Sequence, residues 1–147
     1  MTEKKIALLK QHLLQMHKAA DRLRWSFGRC QLLDVHKLSA EDEEKFETLT
    51  ARFARLSDIL IQKQLRLIDE LDLESAGTVR DRINRAEKKG LIDSARDFIV
   101  IRELRNAIAH EYEDQALEQI HQQVMQYTPM LLEVPERVEA YCCKIIG

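Results

Sequence analysis

Hydrophobic positions at the start of the chain recur at steps of three and four. Ile6, Leu9, Leu13, Met16, Ala20, Leu23 and Phe27 make one apolar stripe, which predicts an amphipathic helix from about Glu3 to Leu33. Gly28 and the VHKLS run at 35–39 loosen its end. Ser39 followed by AEDEE reads as an N-cap with acids in the first turn, where the helix dipole favours them. A second long helix follows to about Leu73, with the stripe Phe46, Leu49, Phe53, Leu56, Leu60, Leu67 and Leu71. It carries a second apolar set at Ile61, Leu65 and Ile68. A helix apolar on two sides is either central or shared between subunits. In so short a chain the expectation is a homodimer contact.

Thr78 and Asp81 predict the start of a short third helix, and KKG at 88–90 its end. Asp93 and Ser94 cap a fourth helix to about Tyr112. The remainder reads as an irregular helical stretch in which Pro129 and Pro135 break the helix or begin new turns. There is no strand pattern, internal repeat or low-complexity linker. The expected fold is all-α, an antiparallel four- to five-helix bundle with two long N-terminal helices plus shorter ones, in a single domain over residues 1–147.

Composition agrees with that reading. Only four Gly and two Pro interrupt 147 residues, and 33% of them are charged. No apolar run approaches the ~20 residues that span a bilayer, and MTEKKIALLKQHL at the N-terminus has no signal-peptide pattern. Cys30, Cys142 and Cys143 form no disulfide framework, and the adjacent pair reads as two small hydrophobes on a terminal helix. A cytoplasmic setting away from membranes is expected. The net charge of −2 supplies no whole-molecule attraction to nucleic acid. The charge is uneven, however: residues 78–110 carry eight basic and five acidic side chains, and residues 111–139 carry one basic and seven acidic.

The basic region ends in RELRNAIAHEYED, residues 102–114. On a helical wheel Val100, Ile101, Leu104, Ala107 and Ile108 share the core side, while Arg102, Arg105, Asn106, His110 and Tyr112 spread over the other, with Phe98 and Ala109 among them. Arg105 and His110 are five residues apart, about 140° around a straight helix. Either the chain deforms near His110, or a second copy of the helix faces the first across a two-fold axis and both pairs line one cleft. Arginine matches phosphate oxygens with a planar, permanently charged fork. Histidine can take a proton from one hydroxyl and give one to a leaving oxygen near neutral pH. The two suffice for RNA cleavage, with Asn106 orienting the phosphate or the imidazole. His12, His17, His36 and His121 show no metal-ligand spacing, so neither metal nor cofactor is expected. The competing reading is a solvated helix face whose cations pair with Glu103, Glu111, Glu113 and Asp114.

RNAIAHEY, residues 105–112, resembles the signature of the HEPN domain family in its R-x4-H-x-Y form, the form characteristic of HepT-type toxins. FARLSDILIQKQLR at 53–66 resembles that family's second helix, and GLID at 90–93 the approach to the motif helix. The resemblance implies a homodimeric, metal-independent endoribonuclease toxin acting on RNA and neutralised by a minimal nucleotidyltransferase antitoxin. Arg105 and His110 would be catalytic, Asn106 would assist, and Tyr112 would accept AMP from the nucleotidyltransferase. Arg102 stands outside the signature and could extend the phosphate-binding surface. The alternatives are a non-catalytic nucleotide- or substrate-binding partner of a nucleotidyltransferase, and a purely structural helical adaptor.

Overall fold

The computed structural model describes residues 2–110 and 114–147. Among the described residues the chain is helical, with no strand. Helix α1 spans Thr2–Cys30. Helix α2, Ala40–Asp58, runs without a break into a π-helical segment, Ile59–Gln64, and then into α3, Leu65–Leu71. Two shorter helices follow, α4 (Val79–Lys88) and α5 (Ala95–Ile108). Helix α6, Asp114–Leu132, is separated by the single residue Glu133 from α7, Val134–Ile146. The result is an all-α bundle of two long N-terminal rods and shorter elements, as the periodicity predicts.

The helix starts lie where their caps predict. The Ser39 hydroxyl accepts from the Asp42 amide, and Thr78 and Asp81 form a reciprocal capping box. Ser94 accepts from the Asp97 amide, while the Glu87 carboxylate takes the Ala95 amide at 2.6 Å. Gly90 closes α4 with φ +77°, a left-handed turn that a Cβ would strain. Pro135 begins α7 as expected. Pro129 instead lies inside α6, which continues through it, with the neighbouring Thr128 hydroxyl donating to the Val124 carbonyl. Tertiary packing overrides the local breaker there.

Rod directions follow from their cross-links. The Ser26 hydroxyl near the end of α1 accepts from Arg52 of α2, and Lys5 at the start of α1 meets Glu70 of α3. These two rods are therefore antiparallel. The hydrophobic core takes side chains from every helix, and the rod of α2 and α3 is its axis. Ile61 and Leu65 are each 2% exposed and Ile68 is fully buried. The second apolar stripe is thus covered within the chain by α1 and α4, and it is not a free dimer contact. The π-helical segment explains why a simple wheel misleads. One extra residue in the turn rotates everything after it, spreading apolar positions around the rod. Arg82 of α4 steadies that turn by donating to the Ile61 carbonyl at 2.9 Å.

A knot of charges ties α3 to α4. Asp69 accepts from Arg85 at 3.2 Å and from Lys89 at 2.9 Å, and Lys89 also reaches Asp72 at 2.8 Å. The Tyr141 hydroxyl donates to Asp72, and burial followed by that carboxylate pushes its pKa up to about 12. All four partners are largely shielded, and losing the hub leaves Arg85 with Glu74 alone and Lys89 with Asp72 alone. Asp69→Ala should lower unfolding stability by about 2 kcal/mol in urea titrations, less than the loss of a sole partner would cost.

His121 is buried against Phe46 with its ring stacked at 4.5 Å, and its Nε2 has no hydrogen-bond partner. His36, Glu43 and Glu118 line the cleft beside it. Burial pushes the imidazole below its ordinary value. The unfolded chain therefore binds a proton that the folded chain refuses. This contribution is complete above about pH 6.5 and is lost as pH falls below it toward the folded value. Urea midpoints should fall between about pH 7.5 and 5.5, and His121→Phe should flatten that fall.

Candidate phosphate-binding groove at Arg105

Helix α5 presents the candidate residues, but its core face is not the expected one. Ala95, Phe98, Ile101 and Leu104 are its buried residues, a strict step of three. Such a stripe turns by about 60° at each step, because three residues complete only 300°. The start of α5 is tied to α4 through Ala95 and Glu87, its end to α2 through Arg105 and Asp58, and it packs against α6 as well. Phe98, placed by the wheel among the polar groups, is consequently buried, whereas Val100, Ala107 and Ile108 are half-buried. Toward the C-terminal end the polar side is as expected: Arg102 and Arg105 are half-buried and Asn106 is exposed.

Arg105 does not point freely into solvent. Its Nε donates to Asp58 Oδ1 at 2.6 Å and one Nη to Oδ2 at 2.9 Å, a bidentate pair. The Asp58 contact holds the guanidinium charged, raising its pKa further. A guanidinium has five N–H donors, so three remain for another acceptor. Asp58 sits at the junction of α2 and the π-helical segment. Around this pair Ser57, Ile61, Gln62, Lys63, Arg102 and Asn106 complete a groove of about 410 Å³. Lys63 and Arg102 leave it rich in positive charge, and its open side can admit a phosphate.

His110 lies past the end of α5. The helix stops at Ile108, and the His110 amide bonds to the Ala107 carbonyl three residues back. The chain therefore tightens and leaves the helical path before the imidazole, but this departure does not bring the imidazole into the groove at Arg105. His110 is exposed and is not among the residues lining the groove. The structure brings together Arg102, Arg105 and Asn106 and does not bring His110 into the same groove. Tyr112 lies outside the described residues.

Sequence reasoning missed Asp58 and Lys63. Asp58 stands 47 residues before its partner, inside an otherwise ordinary amphipathic run, and no spacing rule links the two. The adjacent cysteines separate: Cys142 is buried, with burial pushing its thiol up to about 11, while Cys143 is exposed rather than a packed hydrophobe. No helix among the described residues is long and apolar enough to cross a membrane. Comparison of the chain with protein-family models, with curated proteins and with solved structures gives no match.

The groove yields a direct prediction. Asp58→Asn removes the competing charge while keeping the side chain's shape, so inorganic phosphate should bind at Arg105 about tenfold more tightly. The Arg105 Nε–Hε resonance in a phosphate titration reports this. Stability should change by no more than about 1 kcal/mol, because the pair is exposed to screening. Unchanged phosphate affinity would place the anion elsewhere.

Proposed function

We propose that this chain is a metal-independent endoribonuclease of the HEPN kind, acting as the toxin of a two-gene module in the cytoplasm. The observation that carries the reading is the oriented guanidinium of Arg105, held edge-on by Asp58 with three donors left over in a basic groove. Its position in R-x4-H-x-Y gives the rest of the assignment.

In this reading a phosphodiester enters beside Arg102 and Arg105. His110 takes the proton of the 2′-hydroxyl, and that oxygen attacks the adjacent phosphorus. Arg105 stabilises the charge that develops on the phosphoryl oxygens, and Asn106 helps to hold them. The bond from phosphorus to the 5′-oxygen breaks, and an imidazolium returns a proton to that oxygen. The products are a 2′,3′-cyclic phosphate and a free 5′-hydroxyl. A homodimer would supply a second imidazole to the same cleft, so that base and acid need not be one residue. AMP placed on Tyr112 by a partner nucleotidyltransferase would add bulk and negative charge next to the motif, and both oppose RNA.

The decisive experiment assays the unmodified protein on RNA with chelator present. Cleavage should persist with chelator, and Arg105→Ala and His110→Ala should each reduce it by at least about a hundredfold while circular dichroism stays unchanged. Binding without any product would instead favour a non-catalytic partner subunit. Co-expression with an adjacent nucleotidyltransferase should add whole AMP units to the intact mass, and Tyr112→Phe should abolish the addition.

A further inference from the structure

Trp25 is the chain's only tryptophan, and it is 59% exposed. The Arg29 guanidinium carbon lies 4.8 Å from the ring centroid, and that of Arg52 lies 5.6 Å away. Arg52 is itself fixed, donating to the Ser26 hydroxyl at 2.7 Å and to the Arg22 carbonyl at 3.1 Å. An aromatic plate braced by two cations is the arrangement on which unpaired bases stack, with the charges holding the attached phosphates. The same face of α1 also exposes Lys18 and Arg22.

One turn beyond Arg52 on the same rod stands Arg55, at the edge of a hollow next to the groove at Arg105. Arg55, Asp58 and Lys63 line a hollow of about 430 Å³ with Gln15 of α1, and Asp58 and Lys63 also line the groove at Arg105. The two hollows adjoin at Asp58 and Lys63. Arg52 and Lys63 are about 16 Å apart along the rod, room for a short single-stranded run. Two acids beside this path are already paired, Asp21 with Arg24 and Asp58 with Arg105. Glu44 and Glu47 follow on the same side nearer the start of α2, where the surface turns acidic.

We infer that Trp25 and its flanking arginines form a stacking platform for an unpaired base, from which Arg55 and Lys63 lead a single strand of RNA to Arg105. The destination of the strand rests on the nuclease reading; the platform does not, since it is tested by binding alone. Single strands are favoured over duplex because a stacking plate needs a base free of its partner.

The only tryptophan makes its own probe. Oligoadenylate of about ten nucleotides, added to the His110→Ala protein so that nothing is cut, should quench Trp25 emission saturably. AMP at equal nucleotide concentration should not. With end-labelled RNA and anisotropy as readout, Trp25→Ala should bind about tenfold more weakly. Arg55→Ala and Lys63→Ala should each flatten the logarithmic salt dependence of binding by about 0.7. RNA bound by anisotropy with no change in Trp25 emission would overturn the proposal. So would a response to anionic vesicles but not to RNA, or blue-shifted emission with no response to RNA in a dimer whose second copy covers Trp25. Cleavage by the unsubstituted protein without quenching sinks the platform and leaves the nuclease standing; quenching without cleavage does the reverse.

Discussion

Arg105 reaches across the bundle to Asp58 through two charge-assisted hydrogen bonds, and the geometry of the groove follows from them. Both partners remain near water, so the pair adds little to stability. Its effect is on direction. A free arginine samples many rotamers, and ordering one costs on the order of 2 kcal/mol. The fork of Asp58 holds one edge of the guanidinium and leaves three of its donors unused by that carboxylate. The carboxylate also sets a threshold, because an incoming anion must be attracted more strongly than this fixed neighbour repels it. Phosphate beside Lys63 and Arg102 meets that condition more readily than a lone carboxylate would.

Asp58 can act in this way because of where the second rod changes its winding. The residue closes α2, and the next six residues form a π-helical turn. A wider turn leaves carbonyls less regularly paired, and Arg82 takes up that of Ile61 from α4. Farther along, Asp69 binds Arg85 and Lys89 of the same helix. The short basic helix is thus fastened along the rod at three points, and it delivers the chain through Gly90 to the start of α5. The site inherits its rigidity from this fastening and from the buried Phe98, Ile101 and Leu104 beneath it.

Much of this architecture was legible in the sequence, for a local reason. Ser39, Thr78 with Asp81, Ser94 and Gly90 act within one turn of themselves, so each fixes a helix boundary wherever the rest of the chain lies. Longer-range features were not legible. The stripe of Ile61, Leu65 and Ile68 looked like a surface for a second subunit, because a wheel assumes constant winding and hides the neighbours that cover it. The buried face of α5 rotates along its length, since Ala95, Phe98, Ile101 and Leu104 step by three, and a wheel drawn for one fixed core side does not show that. Arg102, Arg105 and Asn106 were readable as one polar side, whereas Asp58 was not, since pairing across 47 residues is decided by tertiary packing alone.

The charge pattern gains a spatial meaning from the same packing. Along the chain the excess of basic residues in 78–110 looked like a local property of the motif region. In the folded molecule part of it is consumed: Arg85 and Lys89 neutralise Asp69, Asp72 and Glu74, and Arg82 caps a carbonyl. Of that region Arg102 stays at the groove, where Lys63 of the second rod joins it, with Arg55 in the adjoining hollow and Arg52 and Arg29 around Trp25. A molecule with net charge −2 can therefore present a basic surface along one side, while residues 111–139 carry one basic side chain against seven acidic ones. Screening limits such a field to about 8 Å at physiological ionic strength, so it acts only on what lies directly against that side.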